Sequence, residues 1–383
     1  MVSRVPVWIG TFAVKSFPWV VIELRPSVLR PLSHRQFLSF ETMVPVPSDD
    51  DPQDTSSDSD EAFDRETSFP GAEAEDPEFE ELTSEDFPTY FSERDGRLFH
   101  SHGGSPYPLP VDTREQERMN VQHRALFELM GGYYPDSCPV PEVLAEDPDR
   151  QKYALDMCTG TGKWAMDVAH GFPHVAFRGL DIVPIATRYP RPNVQFSMHD
   201  VNTPTVWAAG TFDFIHARSV TMAVRAPFKS SASLRPRGLF LSGEWVRYPS
   251  VHSAYAPRTP ATHTPAFTAF FGHLHAALVT RGLHPVAPPI ASLLAHTGAF
   301  DEITPREYYM PLGPWHPDPV MKSLGRAFRA AFLRYMESVR PMITDSGVVP
   351  VEELDDVYAD VKQEVRHVEG LLCVFHSVHA RKI

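Results

Sequence analysis

A glycine-rich turn at residues 155–165 carries the clearest chemical signal in this sequence. Its letters read LDMCTGTGKWA, between a short apolar run and an amphipathic segment. Two glycines allow a tight turn whose backbone can approach a ligand closely, and the free amides of a following helix would point at that ligand. The turn therefore predicts a cofactor loop containing Asp156, Thr159, Gly160, Thr161 and Gly162.

Two carboxylates follow the next two apolar runs. Asp181 lies 19 residues after Gly162, within the letters GLDI, and Asp200 lies within SMHDV. A carboxylate at the first position could accept both ribose hydroxyls of an adenosine, and one at the second could reach an adenine amino group. With their neighbours Ile182 and Val201, these residues are predicted to bind the adenosine part of a cofactor.

The turn alone fits two kinds of cofactor. Gly160, Gly162 and Ala165 match the dinucleotide fingerprint G-x-G-x-x-G/A, which has an acid about 20 residues further on. Three features favour S-adenosylmethionine (SAM): Asp156 stands where a pyrophosphate would need room, Asp200 follows the third strand, and a long helix precedes a hairpin-type last strand. A nicotinamide dehydrogenase remains the alternative.

His216 and Glu244 are the candidates for catalysis. Each ends a predicted strand, at the sheet edge where ligands meet an open α/β sheet. Either residue could act as a general base, or either could be a hydrogen-bonded packing residue. Methyl transfer does not oblige the protein to supply a base, because the cofactor brings the activation. The histidines lack the HExxH context, so no metal site is expected.

Alternating elements are predicted to position these residues. Strands alternating with helices or crossovers indicate βαβ units, and hence a doubly wound α/β fold with a mostly parallel sheet. A helix over 112–130 has Asp112 as its N-cap, Glu115 in a capping-box position and Gly131 at its end. The strands are predicted at 153–157, 175–180, 194–198, 212–216, 238–245, 303–311 and 371–381. Further helices are predicted at 162–171, 265–281, within 284–300, and at 318–339 and 351–369.

The same segments resemble the fungal LaeA-like methyltransferases, a class I SAM-dependent group linked to secondary metabolism. The similarity lies in 155–167, 179–182, 213–218 and 234–244, and it extends to YPLPVD at 107–112, PLGPW at 311–315 and FHSVHARK at 375–382. It covers roughly residues 89–383. The resemblance implies a seven-stranded Rossmann-like sheet with an antiparallel last strand, and SAM bound by the loop, Asp181 and Asp200.

The chain departs from that family in the fourth crossover. Parallel strands need a connection of a dozen or more residues, usually with a helix, but residues 219–237 are interrupted by Pro227 and Pro236. At most a short helix over 219–225 is predicted. Arg237 also stands where the family has a glycine.

Charge divides the chain into parts. Residues 49–86 hold 17 acidic side chains and one basic one, so the remainder of a chain with net charge −14 is close to neutral. A near-neutral fold gives no electrostatic footprint for nucleic acid. Residues 49–88 are predicted to be a disordered acidic tail, either a solvating linker or a contact site for a protein partner.

The other predicted parts are an extension, a helical segment and the enzyme domain. Residues 1–48 could be an organelle transit peptide or a loosely structured extension. Residues 89–150 form an N-terminal helical segment, and 151–383 form a methyltransferase domain with a lid insert at 246–300. The sequence contains no apolar run of 18 residues, so a membrane span is not expected. Three cysteines without a CxxC pair favour a reducing compartment, the cytoplasm or the nucleus.

Two functions follow from this sequence. The first is a SAM-dependent methyltransferase acting on a small hydroxylated or carboxylated secondary metabolite. The second is a SAM-binding regulatory protein of secondary metabolism that acts through protein partners with little turnover.

Overall fold

The computed structural model describes Thr83 and residues 85–225, 232–255, 258–284, 287 and 289–383. The extension predicted at 1–48, nearly all of the acidic tail predicted at 49–88 and the middle of the fourth crossover lie outside these described residues. The first elements are a 3-10 helix (Phe87–Tyr90), the hairpin of β1 (Phe91–Arg94) and β2 (Arg97–His100), helix α1 (Thr113–Met130) and the short helix α2 (Val140–Val143).

A central sheet positions the cofactor loop. Its parallel strands are β3 (Lys152–Met157), β4 (Val175–Asp181), β5 (Val194–Met198), β6 (Phe212–Arg218) and β7 (Leu234–Trp245), and helix α3 (Lys163–Gly171) connects β3 to β4. They stand in the order β5-β4-β3-β6-β7. Strands β4 and β5 are therefore added on one side of β3, and β6 and β7 on the other. Ligands of open α/β sheets bind at the point where the strand order switches in this way.

The remaining elements complete the sheet and add a helical layer. They are β8 (Ser250–Val251), α4 (Pro260–His263), α5 (Pro265–Thr280), α6 (Ile290–His296), β9 (Phe300–Pro311), α7 (Pro319–Ser346), α8 (Val351–His367) and β10 (Leu371–Lys382). Strand β10 lies between β7 and β9 and runs antiparallel to both. The predicted doubly wound sheet with an antiparallel last strand is confirmed, and the two-residue β8 is an addition to it.

Apolar side chains cover both faces of the sheet. Trp164, Ala165 and Val168 of α3 pack on one face, and Ile290 and Leu294 of α6 pack on the other. Helices α5, α7 and α8 share a separate apolar cluster rich in phenylalanine. Within the described residues, no helix combines the length and the apolar character that a membrane span requires.

Several boundaries differ from the predicted ones. The β1–β2 hairpin was not predicted, although Asp95 and Gly96 adopt the positive φ angles, 51° and 69°, of an Asp-Gly hairpin turn. Helix α7 continues through Pro341 to a left-handed cap at Gly347. Strand β7 begins at Leu234, and its pairing with β6 shifts register before Leu239.

The fourth crossover begins with a single turn. The amides of Ala223 and Val224 donate to the carbonyl of Val220 over 2.8 Å and 3.1 Å. The described residues between β6 and β7, 219–225 and 232–233, contain no longer helix. Arg237 holds a left-handed φ of 62°, the conformation that a glycine would adopt without steric cost. Its guanidinium pairs with Asp301 and Glu302 at the start of β9.

Phe196 fills the space that two glycines leave open. A Cβ added at Gly179 would lie 2.6 Å from Phe196 Cδ1 and 3.0 Å from Thr159 Oγ1, and one added at Gly162 would also collide with the same ring. The absence of side chains at both glycines therefore allows β5 to pack against the cofactor loop.

We expect Gly179→Ala to lower the free energy of unfolding by about 1–3 kcal/mol, because the added methyl group overpacks the Phe196 site. Gly171→Ala is the matched control, since a Cβ there meets no atom within 4 Å. Thermal melts of both variants, and of Gly179→Ala combined with Phe196→Leu, measure the effect. Equal melting temperatures for the two alanine variants would contradict it, and the double variant should recover part of the loss.

Candidate functional site

A cavity opens at the carboxyl edge of the parallel strands. It encloses about 1580 Å³, counting its open mouth. Eight of the predicted site residues line it: Thr159, Gly160, Thr161, Asp181, Ile182, Asp200, Val201 and Glu244. The other three, Asp156, Gly162 and His216, are not among the lining residues.

Backbone hydrogen bonds fix the loop between β3 and α3. Cys158, Gly160 and Gly162 have φ angles of 52°, 56° and 73°, so the chain turns three times through the left-handed region. The amide of Thr159 donates to Leu180 O over 2.7 Å, and that of Gly162 donates to Thr159 O over 3.0 Å. The Gly160 amide donates to Asp181 Oδ2 over 2.8 Å. Consecutive bonds thus connect the loop to β4.

Asp156 and His216 form a buried pair behind the loop. Thr159 Oγ1 donates to Asp156 Oδ2 over 2.6 Å, and His216 Nδ1 lies 2.7 Å from Asp156 Oδ1. Burial lowers the pKa of His216, which favours the neutral ring with its proton on Nδ1, donating to the carboxylate. The ring also stacks on Trp164 with centroids 3.5 Å apart. This pair joins the loop, β6 and α3.

The two acids predicted to bind adenosine lie at the ends of the neighbouring strands β4 and β5 and line the cavity. Asp181 Oδ1 accepts the Ile182 amide over 2.8 Å, and burial raises the pKa of Asp181 to about 6 despite its bonds to backbone amides. Asp200 is buried, and its Oδ1 accepts from the amide and the side chain of Asn202 over 2.9 Å and 2.8 Å. Both side chains are therefore held in place before any ligand binds.

Glu244 is a buried acid at the end of β7. Its Oε1 accepts the amides of Val220 and Thr221 over 2.7 Å and 3.0 Å, so it closes the turn that starts the fourth crossover. Burial raises its pKa, although Arg247 and Thr221 oppose the shift. Among the described residues, no partner of good hydrogen-bond geometry is found for its Oε2.

Aromatic side chains enclose the far end of the cavity. Trp245, Phe271, Phe328, Phe332 and Tyr335 line it, and the rings of Trp245 and Phe328 stack with centroids 4.8 Å apart. Of the insert predicted at 246–300 to cover the pocket, only Val246, Arg247 and Phe271 reach the cavity within the described residues. Helix α7 and residues 105–123 supply more of its lining.

Helix α1 contributes residues that the sequence patterns did not single out as functional. Thr161 Oγ1 donates to Asn120 Oδ1 over 2.9 Å, and His123 Nε2 lies 2.9 Å from Asp167 Oδ2 in α3. Arg118 is buried and pairs with Glu115 over 2.7 Å, while Ser338 of α7 donates to Glu115 over 2.6 Å. The sequence did contain a sign of these contacts, because polar residues lie on the face of α1 that packs inward.

Comparison with known proteins finds relatives among fungal proteins, and no family model matches the sequence. The Secondary metabolism regulator laeA of Coprinopsis cinerea is 28% identical over 67% of this chain and 65% of its own length, so the chain spans just under two thirds of that relative. Methyltransferase pytC of Aspergillus terreus is 28% identical over 63% of this chain and 72% of its own length. The Protein-methionine methyltransferase laeA of Emericella nidulans is 27% identical over 76% of each chain.

We expect Asp156→Ala to lower the melting temperature by several degrees although Asp156 does not line the cavity. The change leaves the Thr159 hydroxyl and the His216 ring without their partner, and each buried unpaired group costs about 1–3 kcal/mol, where 1 kcal/mol corresponds to about 2–4 °C in a domain of this size. Thr159→Val removes one of the two bonds and should cost less. An unchanged melt in Asp156→Ala would show that the pair does not stabilise the loop.

Proposed function

We propose that this chain, which belongs to the LaeA-like methyltransferases, binds SAM and transfers its methyl group to a small acceptor. The observation that carries the proposal is Asp181, a carboxylate at the end of β4 that lines the cavity and is already oriented by the Gly160 and Ile182 amides. A carboxylate so placed suits the two hydroxyls of a ribose.

The loop suits SAM better than a dinucleotide. A pyrophosphate would need the free amides of a glycine-rich loop, but the amides of Thr159, Gly160 and Gly162 already donate to protein oxygens. The neighbouring carboxylates of Asp181 and Asp200 would also repel phosphate. These contacts favour a ligand that carries hydroxyl and amino groups at this position, as adenosine does.

Each predicted residue takes a role in this proposal. Asp181 and Ile182 hold the ribose, Asp200 and Val201 hold the adenine, and Thr159, Gly160 and Thr161 contact the remainder of the cofactor. Gly162 permits the close approach of Phe196 to the loop. Asp156 and His216 act behind the cavity by fixing Thr159, which leaves Glu244 as the candidate base that faces the acceptor.

The aromatic end of the cavity is the proposed acceptor site. SAM, when bound, supplies a methyl group that its sulfonium has already activated. The chain's own side chains would exclude water with the rings of Trp245, Phe328 and Phe332, and Glu244 would take a proton from an acceptor hydroxyl. A small, largely apolar metabolite with a hydroxyl group fits these surroundings.

A regulator acting through protein partners is the second candidate. It is favoured by the name of the Coprinopsis cinerea relative, a secondary metabolism regulator. The cysteines at 138, 158 and 373 are free thiols, which suits a reducing compartment such as the cytoplasm or the nucleus for either candidate. Turnover of SAM with a panel of hydroxylated and carboxylated metabolites separates the enzyme from the regulator.

Cofactor binding should release protons near pH 6. Asp181 is partly protonated there, because its pKa is raised to about 6, and ribose hydroxyls donate to its ionised form, so binding favours ionisation. Calorimetry at pH 6 in two buffers with different ionisation enthalpies measures the release, and the affinity should fall as the pH drops below 6.

Asp181→Asn keeps the shape of the side chain but cannot ionise. It should bind SAM more weakly by about 1–3 kcal/mol and without proton release from this site. Equal affinity in the variant would remove Asp181 from the cofactor site, whereas wild-type protein that binds no SAM would refute the proposed function itself.

Methyl transfer should require ionised Glu244. Because burial raises its pKa, the rate should be low when the carboxyl is protonated and should rise with pH through the raised value. Glu244→Gln keeps an oxygen for the Val220 and Thr221 amides, so S-adenosylhomocysteine binding should persist while kcat falls by about 10²–10⁴-fold. A kcat and pH profile equal to those of the wild type would exclude Glu244 as the base.

A further inference from the structure

Arg218 differs from Arg118 and Lys163, the two other cations beside the cofactor loop, while the cavity-lining Arg247 lies near Glu244 and Tyr335. Arg218 ends β6 and lines the cavity, where Arg118 pairs with Glu115 over 2.7 Å and Lys163 pairs with Asp167 over 2.6 Å. Within the part of the chain that the structure describes, no carboxylate oxygen comes within 4.0 Å of the Arg218 guanidinium. It makes a hydrogen bond to His123 Nδ1, with its Nη2 3.0 Å away.

His123 orients this guanidinium without neutralising it. Burial lowers the pKa of His123 to about 4, so the ring is neutral near pH 7. Its Nε2–H then donates to Asp167 Oδ2 over 2.9 Å, and its Nδ1 accepts from Arg218. The pKa of Arg218 falls to about 10 through burial, which leaves the side chain charged. Arg218 is half-buried, and the carboxylates of Asp156 and Asp167 act on it only from beyond contact distance. A partly desolvated charge without a contacting counterion is costly, so an anion from a ligand would be favoured here.

The strand order places this cation beside the loop. β6 pairs with β3 so that Ala217 stands opposite Met157, which puts Arg218 level with Cys158, the first residue of the loop. Asp181 ends β4 on the other side of β3. Strands lie about 4.8 Å apart, so the ends of β4 and β6 are separated by about 10 Å across the loop. A ligand whose ribose meets Asp181 can extend across the loop toward Arg218.

We propose that Arg218 binds the α-carboxylate of SAM, oriented for that contact by His123 and Asp167. This inference rests on the proposed function. The carboxylate is the anionic group of that ligand, and a guanidinium can hold it with two parallel hydrogen bonds. Arg218 is accordingly a specificity-determining residue, which selects adenosine ligands that carry a complete amino-acid arm. Because His123 belongs to α1, it also connects the N-terminal helix to the cofactor.

Calorimetry with SAM and decarboxylated SAM tests the contact, because the two ligands differ in the carboxylate alone. Wild-type protein should bind SAM about 10- to 100-fold more tightly, as expected for a hydrogen bond to a charged group. In Arg218→Met the affinity for SAM should fall by that factor while the affinity for decarboxylated SAM stays the same. Arg218→Lys should keep part of the preference. Lys163→Met removes another cation that lines the cavity, and this variant should keep the full preference for SAM over decarboxylated SAM.

Several results would overturn the inference. If wild-type protein binds SAM and decarboxylated SAM with equal affinity, the inference is wrong before any variant is made. Equal losses for both ligands in Arg218→Met would show that the arginine only supports the fold, and loss of the preference in Lys163→Met would assign the carboxylate elsewhere. If wild-type protein binds neither ligand, the proposed function fails and this inference fails with it.

Discussion

The carboxylate of Asp156 fixes the geometry on which the rest of the site depends. One of its oxygens accepts the Thr159 hydroxyl in the loop, and the other accepts from His216 in β6. His216 stacks on Trp164 in the first turn of α3. A single buried charge therefore holds two neighbouring strands, the turn between sheet and helix, and the helix itself. A shift of the loop would leave a buried polar group without its hydrogen-bond partner, and such a group lowers the free energy of unfolding. The loop is therefore held in one position.

The same fixed turn leaves few free hydrogen-bond donors at this acidic edge of the sheet. The amides of Thr159 and Gly160 are already bonded to Leu180 O and Asp181 Oδ2, so the loop offers little to a phosphate. One carboxylate ends β4 and another follows β5, while the arginine that ends β6 has no carboxylate within 4.0 Å in the described part of the chain. The charges along the edge therefore match a molecule with hydroxyl groups at one end and an anion at the other. Electrostatic complementarity of this kind contributes more to specificity than to affinity.

Local patterns predicted most elements but not the directions of their side chains. Caps and periodicity predicted α1 at 112–130, and the structure has Thr113–Met130, because these signals lie within the helix itself. The sequence placed Asp156 against the cofactor, whereas its side chain lies behind the loop, since strand position alone does not say which face a terminal residue meets. The contact of Glu115 with Ser338 joins residues more than two hundred positions apart. No local pattern reports such a contact, and for the same reason the contribution of α7 to the cavity was missed.

The two ends of the cavity come from different parts of the architecture. The cofactor end is built mainly on the ends of β3, β4 and β5, while the aromatic end is built largely on α5, α7 and the end of β7. Mutations that enlarge, shrink or reshape the aromatic end can therefore accumulate in the helices without disturbing the strand termini. Evolution can change the acceptor of such a protein while its cofactor stays the same. A lineage of related proteins could diversify its chemistry in this way through duplication and drift in two helices.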